Sequence, residues 1–225
     1  MTGLGMGVRL ASLRWLPLSG LAFVACFALA VGLYGNGAGS DPPAVVAYYA
    51  TTAHRLRQVG GFAALLTGCV FLIVYVVALV DDVVPDKPLS TVALLSGGSA
   101  TVLLATGNAL WAATAFTAEI ERNYRVTASA HLLIEDAGFA VVISSMAVAI
   151  PFVVVVSLVA WRSSQLPRWF ALLGVVAAVA LAAAYWYWPL AVFLVWIACG
   201  SVLIARPRHT VAISPPGETV NTATS

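Results

Sequence analysis

Charge is what this sequence has least of. Eleven Lys and Arg and nine Asp and Glu make up 9% of 225 residues, where a soluble domain carries about 25%. That poverty excludes an ordinary water-soluble globule. A net charge of +2, with no basic run and no aromatic motif of the RNA binders, gives no footing for a nucleic-acid partner. Cysteine is scarce as well. Cys26, Cys69 and Cys199 each fall inside an apolar run and no CxxC pair exists, so they read as small hydrophobes rather than as a disulfide or metal framework. Enzyme signatures are missing too. The sequence holds no GxSxG, no HExxH and no phosphate-binding glycine loop.

What remains is 61% apolar and organised as six runs: residues 15–34, 59–80, about 89–117, 137–161, 169–186 and 189–205. About 20 apolar residues cross the hydrocarbon of a bilayer as a helix. The fold class expected is therefore all-α, an integral bundle of six transmembrane helices. Residues 1–14 form a short N-terminus, 15–205 the membrane domain and 206–225 a polar, disordered tail. The first run also fits a cleaved secretory signal, with Ala28 and Ala30 as the small pair; its continuation to Tyr34 favours a retained helix. A turn-rich break covers 35–43. Residues 44–58 read as a helix that runs on into the second span. Asp81, Asp82, Pro85, Asp86 and Pro88 make a firm stop. Tyr185, Trp186, Tyr187 and Trp188 read as an aromatic belt at a span boundary.

With both ends inside, Arg9, Arg14, Lys87, Arg162, Arg168, Arg206 and Arg208 face the cytoplasm, against Arg55, Arg57, Arg122 and Arg125 outside. Short loops richer in Lys and Arg stay cytoplasmic, so both termini are expected there, in the plasma membrane. The bilayer itself is the first partner; a membrane protein partner or a homo-oligomer is the second.

The longest helix, residues 130–161, organises the rest. It opens on His131, Glu135 and Asp136 at the outer interface, and Pro151 should bend it deep inside. At helical spacing His131, Glu135, Gly138, Val142 and Ser145 make one stripe. His131 and Glu135 are one turn apart, a spacing at which two ligands share a metal. His54 falls at the same level and is a candidate third ligand, or a partner of His131 on a haem iron. On the third run Gly97, Thr101, Asn108 and Trp111 share a face. Asn108 reads as interhelical glue or, with Thr101, as a solute contact. Against these stands the weightier structural reading of the acids: carboxylates are favoured at a helix N-terminus, and the outer arginines can pair with them.

The last third, with Leu166, Pro167, Arg168 and Trp169 after a long helix and then an Ala/Val/Leu/Gly-rich hairpin ending in Arg206, Pro207 and Arg208, resembles uncharacterised bacterial, actinobacterial-like polytopic membrane proteins that carry a domain of unknown function. That resemblance implies about six helices in the plasma membrane and brings no activity, cofactor or site residue with it. Three functions are thus expected to compete: an accessory or interaction subunit without catalytic machinery, a small-solute transporter with His131, Glu135, Asp136, Asn108 and Thr101 around an outward-facing polar cavity, and a metal- or haem-binding protein using His54, His131 and Glu135.

Overall fold

A computed structural model of the chain describes residues 16–35, 39, 41–121, 125–163, 166–183 and 188–206. Arg9 and Arg14, Arg122, the aromatic residues 185–187 and the tail from 207 onward lie outside the described residues. Among those described, every regular element is helical and no strand occurs. After a 3₁₀ turn at Leu16–Leu18 the helices are α1 (Ser19–Tyr34), α2 (Pro42–Ala50), α3 (Thr52–Val83), α4 (Lys87–Ile120), α5 (Ala128–Arg162), α6 (Arg168–Ala182) and α7 (Trp188–Ala205).

Three of these, α3, α4 and α5, are long and apolar enough to cross a membrane. At 32, 34 and 35 residues they measure about 48–53 Å, well beyond a hydrocarbon core of about 30 Å. Each must therefore project past the lipid. Helices α1, α6 and α7 are apolar and shorter.

Local chemistry sets the helix ends. Asp86 caps α4 by accepting from the Leu89 N–H at 3.2 Å, with Pro88 in the first turn; proline is tolerated there because its missing N–H would have had no partner. Pro42 and Pro43 open α2 in the same way.

One expectation is corrected. Residues 44–58 do not run as one helix into the second span: the chain breaks at Thr51, whose backbone is extended (φ −93°, ψ 117°). The reason is Arg55. Its Nη1 donates to the Tyr49 and Ala50 carbonyls at 2.8 and 3.4 Å, its Nη2 to Thr52 Oγ1 at 3.0 Å, and its Nε to Glu119 on α4 at 2.8 Å. Carbonyls left open at the end of α2 are thereby satisfied by a charged donor. The break folds α2 over, against α3 and α5.

The six longer helices pack as a closed ring, α1–α3–α4–α5–α6–α7 and back to α1, and α3 also touches α5 and α7 across the middle. One end of this ring is tight. Trp196, fully buried, stacks on Phe170 at 5.4 Å and meets Phe152 edge-on at 5.7 Å. Nearby Gly20 lets α1 lie directly on Ser201 of α7 and Tyr75 of α3, where any Cβ would collide. Towards the other end a cavity lies between the helices, and the candidate site is there.

Candidate functional site

The open end carries a polar collar made by α2, α3, α4 and α5. Four rings form a row across it: His54 stacks on Tyr48 at 4.3 Å, Tyr48 meets Tyr49 edge-on at 5.2 Å, and Tyr49 meets His131 edge-on at 4.9 Å. Two tyrosine rings thus stand between the two imidazoles. His54 Nδ1 lies 3.1 Å from the Tyr48 carbonyl. His131, buried, has Nδ1 3.1 Å from the Thr114 hydroxyl of α4 and Nε2 3.4 Å from the Glu135 carboxylate. The buried amide of Gln58 donates to the Tyr48 hydroxyl at 3.2 Å. Burial, the Glu135 charge and Tyr48 together hold the Tyr49 phenol above its ordinary range, because each disfavours a phenolate. It is a neutral hydroxyl at any physiological pH.

Among the described residues no three His, Cys, Asp or Glu side chains gather as metal ligands. His131 and Glu135 do come together, at the one-turn spacing expected; His54 does not join them but packs on its own tyrosine. Asp136 is exposed. Arg55 pairs with Glu119 rather than with Glu135 or Asp136.

Just below the collar, Asn108 ties three helices. Its Oδ1 accepts from the Tyr34 hydroxyl of α1, and its Nδ2 donates to the Phe62 carbonyl of α3 at 3.1 Å. It is fully buried. Thr101 donates to the Gly97 carbonyl of its own helix at 2.8 Å. Trp111 Nε1 donates across to the Glu135 carbonyl at 3.1 Å. The crossing of α4 and α5 at this level is close because two glycines meet: a Cβ on Gly107 would stand 2.8 Å from the Gly138 carbonyl oxygen, and one on Gly138 3.0 Å from that of Gly107. Small residues permit such approach where lipid offers no hydrophobic drive.

Beneath Tyr34 and Trp111 the bundle encloses an apolar vestibule of about 440 Å³. Leu65, Leu104 and Val142 form its buried floor; Val31, Gly35 and Ala191 on its rim are exposed. A second apolar groove, about 400 Å³, runs along the outside between α3 and α4, over Val70, Ile73, Val102 and Ala105. Thr101 borders this groove and not the vestibule.

Compared with protein-family models, with curated proteins and with solved structures, the chain has no match.

Several residues of this end carry no sequence signal of their role. Tyr34 reads as the last aromatic of an apolar run, and Thr114 as one more small residue. Tyr49 is indistinguishable in sequence from Tyr48, although only Tyr49 reaches His131.

Proposed function

We propose that this chain is a six-span protein of the plasma membrane, both termini cytoplasmic, that serves as an accessory or interaction subunit rather than as an enzyme or a carrier of polar solutes. The observation that carries the reading is the state of the polar side chains at the open end. Asn108, Thr101, Trp111, Thr114 and His131 all spend their hydrogen-bonding groups on the protein itself, and the two spaces at this end, which only Trp111 and Thr101 of these border, are lined by apolar side chains. A polar solute leaving water needs compensating hydrogen bonds inside; these walls offer almost none. The outer groove between α3 and α4, with small side chains on its α4 side, is shaped to take another helix. The six-span threading rests on the balance of seven inner against four outer basic residues. Kinship with uncharacterised bacterial polytopic membrane proteins belongs to the same proposal.

The test has two arms, in protein lacking its native cysteines. Gly39→Cys is expected to react with an impermeant maleimide on intact cells, and Pro85→Cys, exposed on the loop between α3 and α4, only after lysis. A photocrosslinker at Val102 is expected to capture a discrete membrane protein or a second copy, and Ala105→Trp to abolish the product. Equal labelling of both loops would overturn the threading, and a crosslinker that captures lipid alone would overturn the interaction role.

A further inference from the structure

Arg55 and Arg57 are two residues apart on α3 and differ completely in their surroundings. Arg55 is bound by Glu119, two backbone carbonyls and a hydroxyl. Arg57 is exposed, and its one hydrogen bond is a long one, from Nη2 to the Gly32 carbonyl at 3.4 Å. Among the described residues no carboxylate lies within salt-bridge reach of it. Of the five N–H donors a guanidinium offers, one is engaged. Its position is what matters. The Gly32 carbonyl belongs to the last turn of α1, and Nη2 stands 3.4 Å from where a Cβ on Gly35 would be. Gly35 (φ +60°) is itself on the rim of the vestibule. A spare cation therefore overhangs the mouth of an apolar cavity.

The cavity is large enough for a ligand, since small-molecule sites run from about 300 to 1,000 Å³. Its floor of Leu65, Leu104 and Val142 gives water no partners, so water gains nothing by filling it. In a bilayer the medium around the exposed rim is hydrocarbon chain. Tyr34 and Trp111, edge to face at 6.3 Å, close the wall nearest the collar, the level at which such amphipathic rings meet the headgroup region.

We propose that the vestibule holds one acyl chain of an anionic phospholipid whose phosphate rests on Arg57. The chain enters over Val31 and Ala191 and lies on the buried floor. The phosphate oxygens accept from the guanidinium N–H groups that the Gly32 carbonyl leaves free, the planar fork that suits phosphate. Two terms act separately: the cavity retains the chain, and the arginine selects the headgroup's charge. The inference rests on the membrane-spanning reading above, which under its threading places this lipid in the outer leaflet.

The test is native mass spectrometry of the full-length protein in detergent, offered phosphatidylglycerol or phosphatidylcholine of identical chains. Wild type is expected to retain one phosphatidylglycerol and to prefer it. Arg57→Gln should still retain lipid but lose about fivefold of that preference, the effect of one arginine at a lipid surface. Ala191→Trp and Val31→Trp, both at exposed rim positions where a large ring need not disturb the core, should lose retention of either lipid. Unchanged preference in Arg57→Gln, or unchanged retention in both rim variants, overturns the proposal. Its failure is separable from that of the threading: if Gly39→Cys labels from inside while lipid is retained, the site stands and only the leaflet changes. Lipid loss with the labelling as expected removes the lipid site alone.

Discussion

Ser96 of α4 stands inside a backbone hydrogen bond of α5. The Phe152 N–H, whose partner along the helix is the Val148 carbonyl, donates to Ser96 Oγ at 3.0 Å, and the same hydroxyl donates on to the Val148 carbonyl at 2.5 Å. The cause is the residue before Phe152. Pro151 has no N–H to give the Ala147 carbonyl, and its ring crowds that carbonyl, so the ladder is weakened beside Phe152. In lipid no water can fill the gap, and each orphaned backbone group there costs several kcal/mol. A hydroxyl from the neighbouring helix fills it. Ser96→Ala should therefore destabilise the bundle by about 1–3 kcal/mol, the cost of leaving a buried group unpaired. Thermal unfolding in detergent measures it. A variant as stable as wild type would show that α5 closes its own gap once the hydroxyl is gone.

Asn108 and Tyr34 give a second prediction. Their bond joins α1 to α4 at the ceiling of the vestibule, while the Asn108 amide holds Phe62 of α3. Polar pairs between membrane helices contribute about 0.6–2 kcal/mol. In a double-mutant cycle of Tyr34→Phe and Asn108→Ala, a coupling of about 1 kcal/mol is expected. If the two losses simply add, the hydroxyl and the amide do not support each other and the ceiling is held by packing alone.

Glycines close in sequence should behave in opposite ways. At Gly107 an added methyl meets Val142 Cγ2 at 2.6 Å and the Gly138 carbonyl at 2.8 Å, whereas at Gly98 it meets nothing within 4 Å. Backbone cannot step aside as a side-chain tip can, so Gly107→Ala should cost about 1–3 kcal/mol through overpacking. Gly98→Ala should be neutral or stabilise by about 0.5–1 kcal/mol, because alanine is the better helix former. Unfolding in the same detergent separates them. Equal effects would mean that α4 and α5 are not held at the crossing seen here.

These cases show what the sequence could and could not reveal. The long helices were legible because an apolar run ended by charge or proline leaves few alternatives: α5 extends over Ala128–Arg162 where residues 130–161 were expected. The shared face of Gly97, Thr101 and Asn108 followed from helical spacing, and all three are buried. The break at Thr51 was not legible. The residues around it, Tyr49, Ala50, Thr51 and Thr52, contain no proline or glycine, and the helix ends there because Arg55 reaches back to its carbonyls while gripping Glu119 from another helix. The vestibule was hidden for a similar reason. Its walls come from five helices at once, and no local pattern encodes that. Nor could periodicity show that Arg55 is saturated and Arg57 spare, since both lie at the same helix end with the same chemistry.

Arg55 makes the sharpest case for geometry over charge. Lysine in its place would keep the positive charge and could still meet Glu119, but an ammonium is a point donor without the planar fork that here serves Glu119, Tyr49, Ala50 and Thr52 at once. If charge alone held α2 down, Arg55→Lys would be silent, because a partly exposed ion pair contributes only about 0–1 kcal/mol. If the capping of the α2 carbonyls matters, the variant should loosen α2 while leaving the ring of long helices intact. Hydrogen exchange is expected to rise at Val45–Ala50 and to stay unchanged at Leu65–Val80. With α2 loosened, the edge contact of Tyr49 on His131 is lost as well, so the His131 ring resonances should shift in Arg55→Lys. Unaltered exchange in α2 would mean that the Tyr48 and Tyr49 packing suffices, and that the arginine is an ion-pair partner and no more.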